Sequence, residues 1–337
     1  MGRCRCGTCS AVATRWSIRP APTACGRKGA MPVSLMTFST GPSAIRQHKF
    51  VGKSRRFWMN TALARRPDHN KVTDPRRGTR STIARDFGAA AASYDRAARL
   101  QRHMGRRLLE LLPACRADSV TDLGCGTGLF LETLQQRFQP ECLNAVDLSP
   151  EMLDYARAHR ALDAHWLAAD AEALPLADAS QDVVFSNLMI QWCDDPEPVL
   201  RECFRVLRPG GWLVCSTLLD GTLGELDAAW QAVDPGRAHI NDFETPDAMR
   251  HALVRVFGGG EVRQESVVLD YPHPADLLRE LKDLGAHHKA PDRRRSLTGA
   301  RRLKQLYRCY PRQGGGHVVA SYEAGYLMAR RPPGAAD

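Results

Sequence analysis

Apolar residues along the chain follow two alternating spacings, and this alternation predicts the fold. Short apolar runs, typical of buried strands, are separated by segments of about 10 to 15 residues with helical spacing. Strands that alternate with helices in this way form a parallel sheet covered by helices on both faces. The predicted strands are 119–123, 141–147, 165–169, 182–187 and 212–218, and the helices between them are 129–138, one that begins at Ser149, and 196–207.

The segments on either side of this alternation predict further elements. A helix is expected at 82–112, where Pro113 ends it. We interpret residues 81–337 as one α/β domain with a helical insertion at about 220–260, rather than as two domains. The elements predicted after the fifth strand are helices at 223–233 and 245–256, a strand at 261–271, helices at 274–284 and 298–308, and a last strand at 317–328.

The first 80 residues differ from the rest in charge and in pattern. They hold 17 of the 47 Lys and Arg residues but two of the 37 acidic ones, so residues 81–337 carry 30 basic and 35 acidic side chains. The net charge of +10 therefore belongs to this tail and gives no reason to expect nucleic-acid binding by the domain. Without sustained periodicity, the tail is expected to be disordered. An extension ahead of a true start, for example at Met59, and a transit peptide are the alternatives.

The cysteine content and the length of the apolar runs indicate the cellular compartment in which the protein is expected. Eleven cysteines and an expected lack of a signal peptide predict free thiols in a reducing compartment. Cys4, Cys6 and Cys9 resemble part of a metal site, but no second ligand pair follows at zinc spacing, and we expect no metal. No apolar run reaches about 18 residues, so no membrane span is expected. The predicted location is the cytoplasm, or the mitochondrion if the tail is a transit peptide.

A glycine-rich loop follows the first predicted strand. Gly124, Gly126 and Gly128 lie where the strand turns into a helix, and glycines there let the backbone turn sharply and approach a ligand. Asp147 ends the second predicted strand, where a carboxylate accepts hydrogen bonds from both hydroxyls of a ribose. Together these residues predict a nucleoside site.

The spacing of the glycines indicates which nucleoside ligand binds. Dinucleotide folds use G-x-G-x-x-G, which places a pyrophosphate at a helix N-terminus, whereas this loop has G-x-G-x-G. Asp122, two residues before the first glycine, would repel a pyrophosphate but can hold an ammonium group. Asp170 ends the third strand and can accept a hydrogen bond from an adenine amino group. The pattern favours an adenosine with an amino-acid tail over a dinucleotide.

These motifs resemble those of class I S-adenosylmethionine-dependent methyltransferases, at residues 122–128, 147–149, 170–172 and Asn187. The resemblance implies S-adenosyl-L-methionine as cosubstrate and a Rossmann-like, mostly parallel seven-stranded sheet with a reversed last strand. It assigns the ribose to Asp147, and the adenine to a space between Leu148 and Met152. The implied cofactor-binding residues are Asp122, Gly124, Gly126, Gly128, Asp147, Leu148, Met152, Asp170, Ala171 and Asn187.

The segment after the fourth strand indicates the methyl acceptor. An acceptor with a high pKa, such as an amine or a phenol, needs a general base nearby. Asn187, Gln191 and Trp192 can donate hydrogen bonds and shape a pocket but cannot take a proton. The segment therefore favours an acceptor that is already ionised, such as a carboxylate. A base from the insertion, His239 or His251, remains an alternative at this stage.

A wider set of motifs resembles the malonyl-[acyl-carrier protein] O-methyltransferases of biotin synthesis. This resemblance covers residues 82–330 and implies methylation of the free carboxylate of a malonyl thioester on acyl-carrier protein. It also implies that Tyr94 closes the active site over the substrate. The motifs are Phe87-Gly88 with Ala90, Ala91 and Tyr94, then 188–192, 221–226 with 230–234, 281–286 and 293–299.

A run of basic residues is the candidate docking surface for the acidic carrier protein. Arg293, Arg294 and Arg295 form a local basic patch on an otherwise mildly acidic domain, and further basic residues follow on the predicted helix 298–308. One of the three could also pair with the malonyl carboxylate, a geometry that Arg suits better than Lys. A solvated loop is the alternative interpretation. His287 and His288 are adjacent and are expected to be solvent-exposed rather than metal ligands.

Two other functions remain open from the sequence. One is a methyltransferase-fold protein with another substrate, such as a mitochondrial respiratory-complex assembly factor, and a working transit peptide would favour it. The other is a nucleic-acid binder that uses the basic tail, which predicts binding with a steep salt dependence. The first choice is the carboxyl methyltransferase, acting as a monomer with neither nucleic acid nor membrane as partner.

Overall fold

The described residues build a seven-stranded sheet whose strand order is β3-β2-β1-β4-β5-β7-β6. The computed structural model describes residues 75–286 and 299–334. Strands β1 to β5 are parallel, while β7 lies antiparallel between β5 and β6. This is the predicted Rossmann-like sheet with a reversed last strand, which is confirmed. The strands are β1 Ser119–Leu123, β2 Cys142–Asp147, β3 His165–Ala168, β4 Gln181–Asn187, β5 Leu207–Leu218, β6 Glu261–Tyr271 and β7 Val318–Arg330.

Helices cover both faces of this sheet. One face is buried by α2, α3, α6, α8 and α9, whose leucines join a core with β1 and β7. On the other face, α5 packs on β5, and α7 packs on α5 and on β6 and β7. The helices are α1 Pro75–Ala97, α2 Arg99–Leu111, α3 Leu131–Phe138, α4 Pro150–His159, α5 Pro196–Val206, α6 Gly224–Val233, α7 Pro246–Phe257, α8 Pro274–Asp283 and α9 Ala300–Cys309.

Side chains cap the N-termini of helices α4 and α7. The Ser149 hydroxyl accepts from the amide of Met152, and Pro150 occupies the first turn of α4. The same arrangement starts α7, where Thr245 Oγ1 accepts from the Ala248 amide at 3.1 Å. These caps fix where helices begin after β2 and before β6.

The predicted single helix at 82–112 is wrong, because the chain breaks at Ala98. Its ψ of 48° lies outside the helical range, and it separates α1 from α2. Ala98 is fully buried, and the bend lets α2 bury Leu100, Met104 and Leu108 against the sheet while α1 packs on α4 and α8. The guanidinium of Arg102 also donates to the carbonyl of Asp95 across the bend. Tertiary packing therefore outweighs the helix propensity of the alanine-rich segment.

The starts of two elements differ from the sequence prediction by five residues or more. Helix α1 begins at Pro75, seven residues before the predicted start and inside the predicted tail. Strand β5 begins at Leu207 rather than at 212, because Leu207 pairs with Gln181 across a register shift in the ladder between β4 and β5. Gly210 and Gly211, which follow the predicted helix 196–207, therefore lie within the strand.

Strand order places the candidate site. Strands β1 and β4 are neighbours, but the connections that follow them run to opposite faces of the sheet. This divergence leaves a crevice at the carboxyl ends of the two strands. Ligands of open α/β sheets bind at such a point. Across residues 75–286 and 299–334, no helix has both the length and the apolar content that a membrane span requires.

Candidate active site

The glycine loop begins directly after β1 and is held against β2. The amides of Gly124 and Cys125 both donate to the Val146 carbonyl, at 2.8 and 3.0 Å. Gly124 has a φ of +75°, and a Cβ there would meet the side chain of Met189 at 2.4 Å. Glycine is therefore required at this position for both its backbone conformation and its close approach to the segment after β4.

Asp147 is fixed at the end of β2 by backbone amides. Its Oδ2 accepts from the Gly126 amide at 2.8 Å, and its Oδ1 accepts from the Ser149 amide at 2.8 Å. Burial raises the pKa of Asp147, and these backbone hydrogen bonds lower it by a smaller amount. The carboxylate is thus oriented before any ligand arrives and keeps lone pairs for a ligand hydroxyl.

A cavity opens over the loop, with about 840 Å³ of open space including its mouth. We call it the first cavity. Leu148 lines it and is 37% exposed, whereas Met152, which also lines it, is almost fully buried. The predicted residues that line it are Tyr94, Gly124, Gly126, Asp147, Leu148, Met152, Asp170, Ala171, Asn187 and Trp192. Asp122 and Gly128 lie outside this lining.

Arg80 reaches the first cavity from α1 and was missed by the sequence analysis. Its guanidinium donates to Asp170 Oδ2 at 2.6 Å and also to the carboxylate of Glu172. The other oxygen of Asp170 accepts from the Glu172 amide at 3.0 Å. Arg80 lies about ninety positions from its partners, and no local pattern in the sequence connects them.

Asp122 is the most strongly perturbed carboxyl of the site. Its side chain is 3% exposed, and burial, with a smaller contribution from the charge of Asp147, raises its pKa to about 8. Asp122 lies behind the wall of the first cavity rather than in it. The side chain is thus largely protonated at neutral pH, and a cation bound nearby would favour its ionised form.

A second cavity of similar size, about 840 Å³ with its mouth, adjoins the first. The two share Phe87, Tyr94, Leu188 and Trp192. Phe87 stacks edge-on against Trp192 with ring centroids 5.0 Å apart, and its centroid is 6.4 Å from that of Tyr94. The shared wall is therefore largely aromatic, and it separates two spaces that different parts of the sequence line.

Tyr94 is positioned in this wall by its neighbour on α1. Asp95 accepts from the Thr127 hydroxyl at 2.5 Å and from the Arg160 guanidinium at 2.5 Å. Arg160 also donates to the Thr127 carbonyl at 3.0 Å. Asp95 thus ties α1 to the glycine loop and to the end of α4. Burial and the nearby carboxylates raise the pKa of Tyr94, so its hydroxyl stays protonated and can donate.

Asn187 lines the first cavity and Gln191 lines the second, so the two side chains lie on either side of the junction where the cavities meet. Asn187 Nδ2 donates to the carbonyl of Gln101 at 3.1 Å, and its Oδ1 accepts from Ser216 at 2.7 Å. Gln191 lines the second cavity, where its amide donates to the Leu188 carbonyl at 2.9 Å. Both amides are therefore held by the protein itself, which gives this part of the wall a fixed shape.

The two candidate bases of the insertion are in different places. His239 lines the second cavity, stacked on Trp230 at 4.1 Å between centroids, and its Nε2 lies 3.3 Å from Asp234. His251 is exposed on α7 and lines neither cavity. Of the two, His239 is the one that a ligand of the second cavity can meet.

Several predicted residues lie outside the described ranges, namely the tail before residue 75 with Cys4, Cys6 and Cys9, the pair His287 and His288, and Arg293, Arg294 and Arg295. The basic residues that follow this triplet are described. Arg301, Lys304 and Arg308 are exposed on one face of α9, while Arg302 points to Asp234 with an N–O distance of 3.3 Å. In the described ranges, no group of three or more His, Cys, Asp or Glu side chains could hold a metal ion.

Comparison with known proteins agrees with this geometry. A family model described as a methyltransferase domain matches residues 121–215, from β1 to β5. The methyltransferase–Trm112 activator complex of Haloferax volcanii contains a chain with a TM-score of 0.50 at 22% identity, covering 76% of this chain and all of that one. A Bacillus halodurans structure described as a methyltransferase also gives 0.50, at 15% identity, over 68% of this chain and 98% of its own. At these identities the two structures show the fold alone.

Sequence relatives are more specific. A malonyl-[acyl-carrier protein] O-methyltransferase of Hahella chejuensis is 43% identical over 267 residues, covering 77% of this chain and 94% of the relative. One from Pectobacterium atrosepticum is 41% identical over 252 residues, covering 75% and 97%. In Cellvibrio japonicus, a similar sequence (40% identical) makes up half of a bifunctional biotin biosynthesis protein. The chain is thus an S-adenosylmethionine-dependent methyltransferase and belongs to the malonyl-[acyl-carrier protein] O-methyltransferase family.

Proposed function

We propose that this protein transfers a methyl group from S-adenosylmethionine to the free carboxylate of a malonyl thioester carried by an acyl-carrier protein. The observation that carries the proposal is the junction between the two cavities. An acid- and glycine-lined cavity meets a second, mostly apolar cavity through an aromatic wall without a base. Membership of the family supports the same substrate.

The first cavity suits the methyl donor. Asp147 is oriented to accept from ribose hydroxyls, and the exposed Leu148 offers an apolar surface to a flat base. Asp170 is held at the far side by Arg80, with lone pairs left for an adenine amino group. Asp147, together with Asp122 once a bound cation favours its ionised form, suits a ligand with sulfonium and ammonium groups better than one with a phosphate.

The chemistry explains why the junction needs no base. S-adenosylmethionine supplies, when bound, an electrophilic methyl group on a positively charged sulfur. As the carboxylate oxygen forms the new C–O bond, the C–S bond breaks, and opposite charges on the two reactants disappear. No proton is transferred. Among the described residues that line both cavities, Phe87, Tyr94, Leu188 and Trp192, none is a base, as this reaction allows.

The aromatic wall assists such a reaction through exclusion of water and orientation. A reaction that neutralises two charges is favoured in surroundings less polar than water, and the wall provides these surroundings. The protonated hydroxyl of Tyr94 can donate to the carboxylate oxygen that does not attack, which orients the other oxygen towards the methyl group. Tyr94 is therefore proposed to orient the acceptor and to close the site.

A basic face on α9 supports an acidic protein partner. Arg301, Lys304 and Arg308 are exposed on this face and form no ion pair with the described residues. Arg302, on the same helix, contacts Asp234, which in turn contacts His239 in the second cavity. The basic face therefore lies close to the cavity that would take the acceptor. Arg293, Arg294 and Arg295 precede this helix and remain part of the proposed surface.

The test is a direct methylation assay. Purified protein, S-adenosylmethionine and malonyl-carrier protein should yield a carrier protein heavier by one methylene group. Acetyl-carrier protein, which lacks the carboxylate, is the matched control and should remain unmodified. A malonyl-carrier protein that stays unmodified, or equal methylation of the acetyl form, would contradict the proposal.

The remaining expectations concern the state of the protein in the cell. We propose that it acts as a monomer in the cytoplasm, with neither nucleic acid nor membrane as partner. Size-exclusion chromatography with light scattering tests the monomer, and a mass of twice the chain would contradict it. Fractionation of cells that express the full chain tests the location, with the mitochondrion as the alternative.

A further inference from the structure

The second cavity combines an apolar lining with a few side-chain amides. Leucines are its most frequent lining residues, among them one each from α2, α6 and α8, and the amides of Gln101, Gln191 and Asn241 interrupt the apolar lining. Such a lining suits a ligand that is mainly hydrocarbon with occasional hydrogen-bonding groups.

Charged groups in this lining are already neutralised. The carboxylate of Glu280 accepts from the Arg99 guanidinium at 2.8 Å and from the Tyr271 hydroxyl at 2.9 Å. The imidazole of His239 lies against Asp234, which Arg302 also contacts. Of the described lining residues, none therefore presents an unpaired carboxylate or guanidinium, and the cavity selects an uncharged ligand segment over a phosphorylated or carboxylated one.

Gln101 has a buried acceptor that the described residues do not satisfy. Its backbone carbonyl accepts from Asn187, at the edge of the first cavity, but its side-chain Oε1 is buried without a hydrogen-bond partner. A buried acceptor without a partner is destabilising, and a hydrogen bond from a ligand N–H would remove this cost. Gln101 is thus placed to accept a hydrogen bond from a ligand that extends from the junction into the second cavity.

We propose that the second cavity binds the thioester arm of the acceptor, an uncharged chain of methylene groups and secondary amides, with Gln101 accepting from one of its amide N–H groups. This inference rests on the proposed function, which places the malonyl carboxylate at the junction. The apolar lining takes the methylene groups, and the amide N–H satisfies Gln101. The arm then runs towards the basic face of α9, where its carrier would dock.

The experiment compares two small malonyl thioesters without a carrier protein. Malonyl-N-acetylcysteamine has one secondary amide in its arm, and a malonyl S-alkyl thioester of equal length has none. Wild-type protein should use the amide thioester with a kcat/KM about tenfold higher, because only this arm satisfies the buried oxygen of Gln101. If neither thioester is turned over, both are measured as inhibitors of carrier-protein methylation, with the same expected ratio in Ki.

A variant isolates the contact. Gln101→Leu should reduce the preference for the amide to less than about twofold, because the apolar side chain has no acceptor to satisfy. Gln136→Leu, on the exposed side of α3, is the matched control and should keep the full preference. Affinity for S-adenosylmethionine, measured by calorimetry, should be unchanged in both.

The outcomes separate this inference from the proposed function. Equal use of the two thioesters by wild-type protein would overturn the inference, and that comparison requires no variant to fold. A loss in Gln101→Leu that is equal for both thioesters would also overturn it, since it would indicate a structural role. Failure to methylate malonyl-carrier protein would instead refute the proposed function.

Discussion

The buried carboxyl of Asp122 gives the sharpest prediction. Replacement by Asn keeps the shape of the protonated side chain but removes its ability to ionise. The pKa of this carboxyl is raised from 3.8 to about 8 in the folded chain. Because the folded pKa is the higher one, the wild type is stabilised least above pH 8 and progressively more as the pH falls towards 4. Asp122→Asn lacks this pH dependence.

The size of the effect follows from the two pKa values. A pH of 7 is about three units above the ordinary pKa of this carboxyl, and each pH unit corresponds to about 1.4 kcal/mol of free energy. The buried carboxyl thus lowers the free energy of unfolding at pH 7 by at most about 4 kcal/mol. Asp122→Asn should recover much of this, which for a domain of this size raises Tm by on the order of 10 °C.

The assay is urea unfolding of the ligand-free protein at pH 5, 6, 7 and 8. The free energy of unfolding of Asp122→Asn, relative to wild type, should rise by up to about 1.4 kcal/mol per pH unit and level off near pH 8. Asp163→Asn, at an exposed position, is the control and should show no such slope. A difference between Asp122→Asn and wild type that does not change with pH would refute the reasoning.

The same variant should bind the donor less tightly. A bound sulfonium and ammonium favour the ionised form of Asp122, so binding at pH 7 should release protons from wild-type protein and fewer from Asp122→Asn. Calorimetry in buffers of different ionisation enthalpy measures this number. A variant that is more stable without ligand but binds the ligand less well would show that the carboxyl is kept for function.

Three further predictions concern the walls of the site and the docking face. Asp147→Ala should weaken S-adenosylmethionine binding at least about hundredfold in calorimetry, because hydrogen bonds to a charged group contribute about 1.5–3 kcal/mol each; unchanged affinity would exclude this residue from the donor site. Arg80→Met should raise the donor Kd about fivefold by freeing Asp170, whereas Arg85→Met, exposed on the same helix, should not; equal Kd values for the two would contradict the assignment. Lys304→Glu should raise KM for malonyl-carrier protein severalfold with little change in kcat, and less so in high salt; a salt-independent change would indicate another cause.

Local patterns predicted most of the sheet and the glycine loop. Strands β1 to β4 are short apolar runs bounded by turn residues, and their ends carry Asp147 and Asp170 at the same edge of the sheet. A parallel sheet brings the carboxyl ends of its strands together, so these residues could be grouped without coordinates. The start of α4 at Ser149 could also be predicted, because capping by a serine side chain is a local property of the sequence.

Contacts between distant parts of the chain could not be predicted from the sequence. Ala98 lies in an alanine-rich segment with high helix propensity, and the bend there reflects the packing of α1 and α2 against different partners. Arg80 pairs with Asp170 across the domain, and the contact exists only because α1 crosses the carboxyl edge of the sheet. The second cavity could not be predicted either, because Gln101 and His239 reach it from distant parts of the chain.

The polar contacts near the two ends of α1 have a consequence for ligand exchange. Near the carboxyl-terminal end of α1, Asp95 accepts hydrogen bonds from Thr127 and Arg160. Near the amino-terminal end, the guanidinium of Arg80 forms ion pairs with the partly exposed carboxylates of Asp170 and Glu172. The end of α1 with Asp95 is held by more contacts, since Ser93 there also donates to the Asp283 carbonyl at 2.7 Å. For a ligand that moves beneath the helix, the ion pairs of Arg80 are therefore the easier ones to break. Exchange should therefore proceed from the amino-terminal end of α1, with Tyr94 held steady over the reacting groups throughout the cycle.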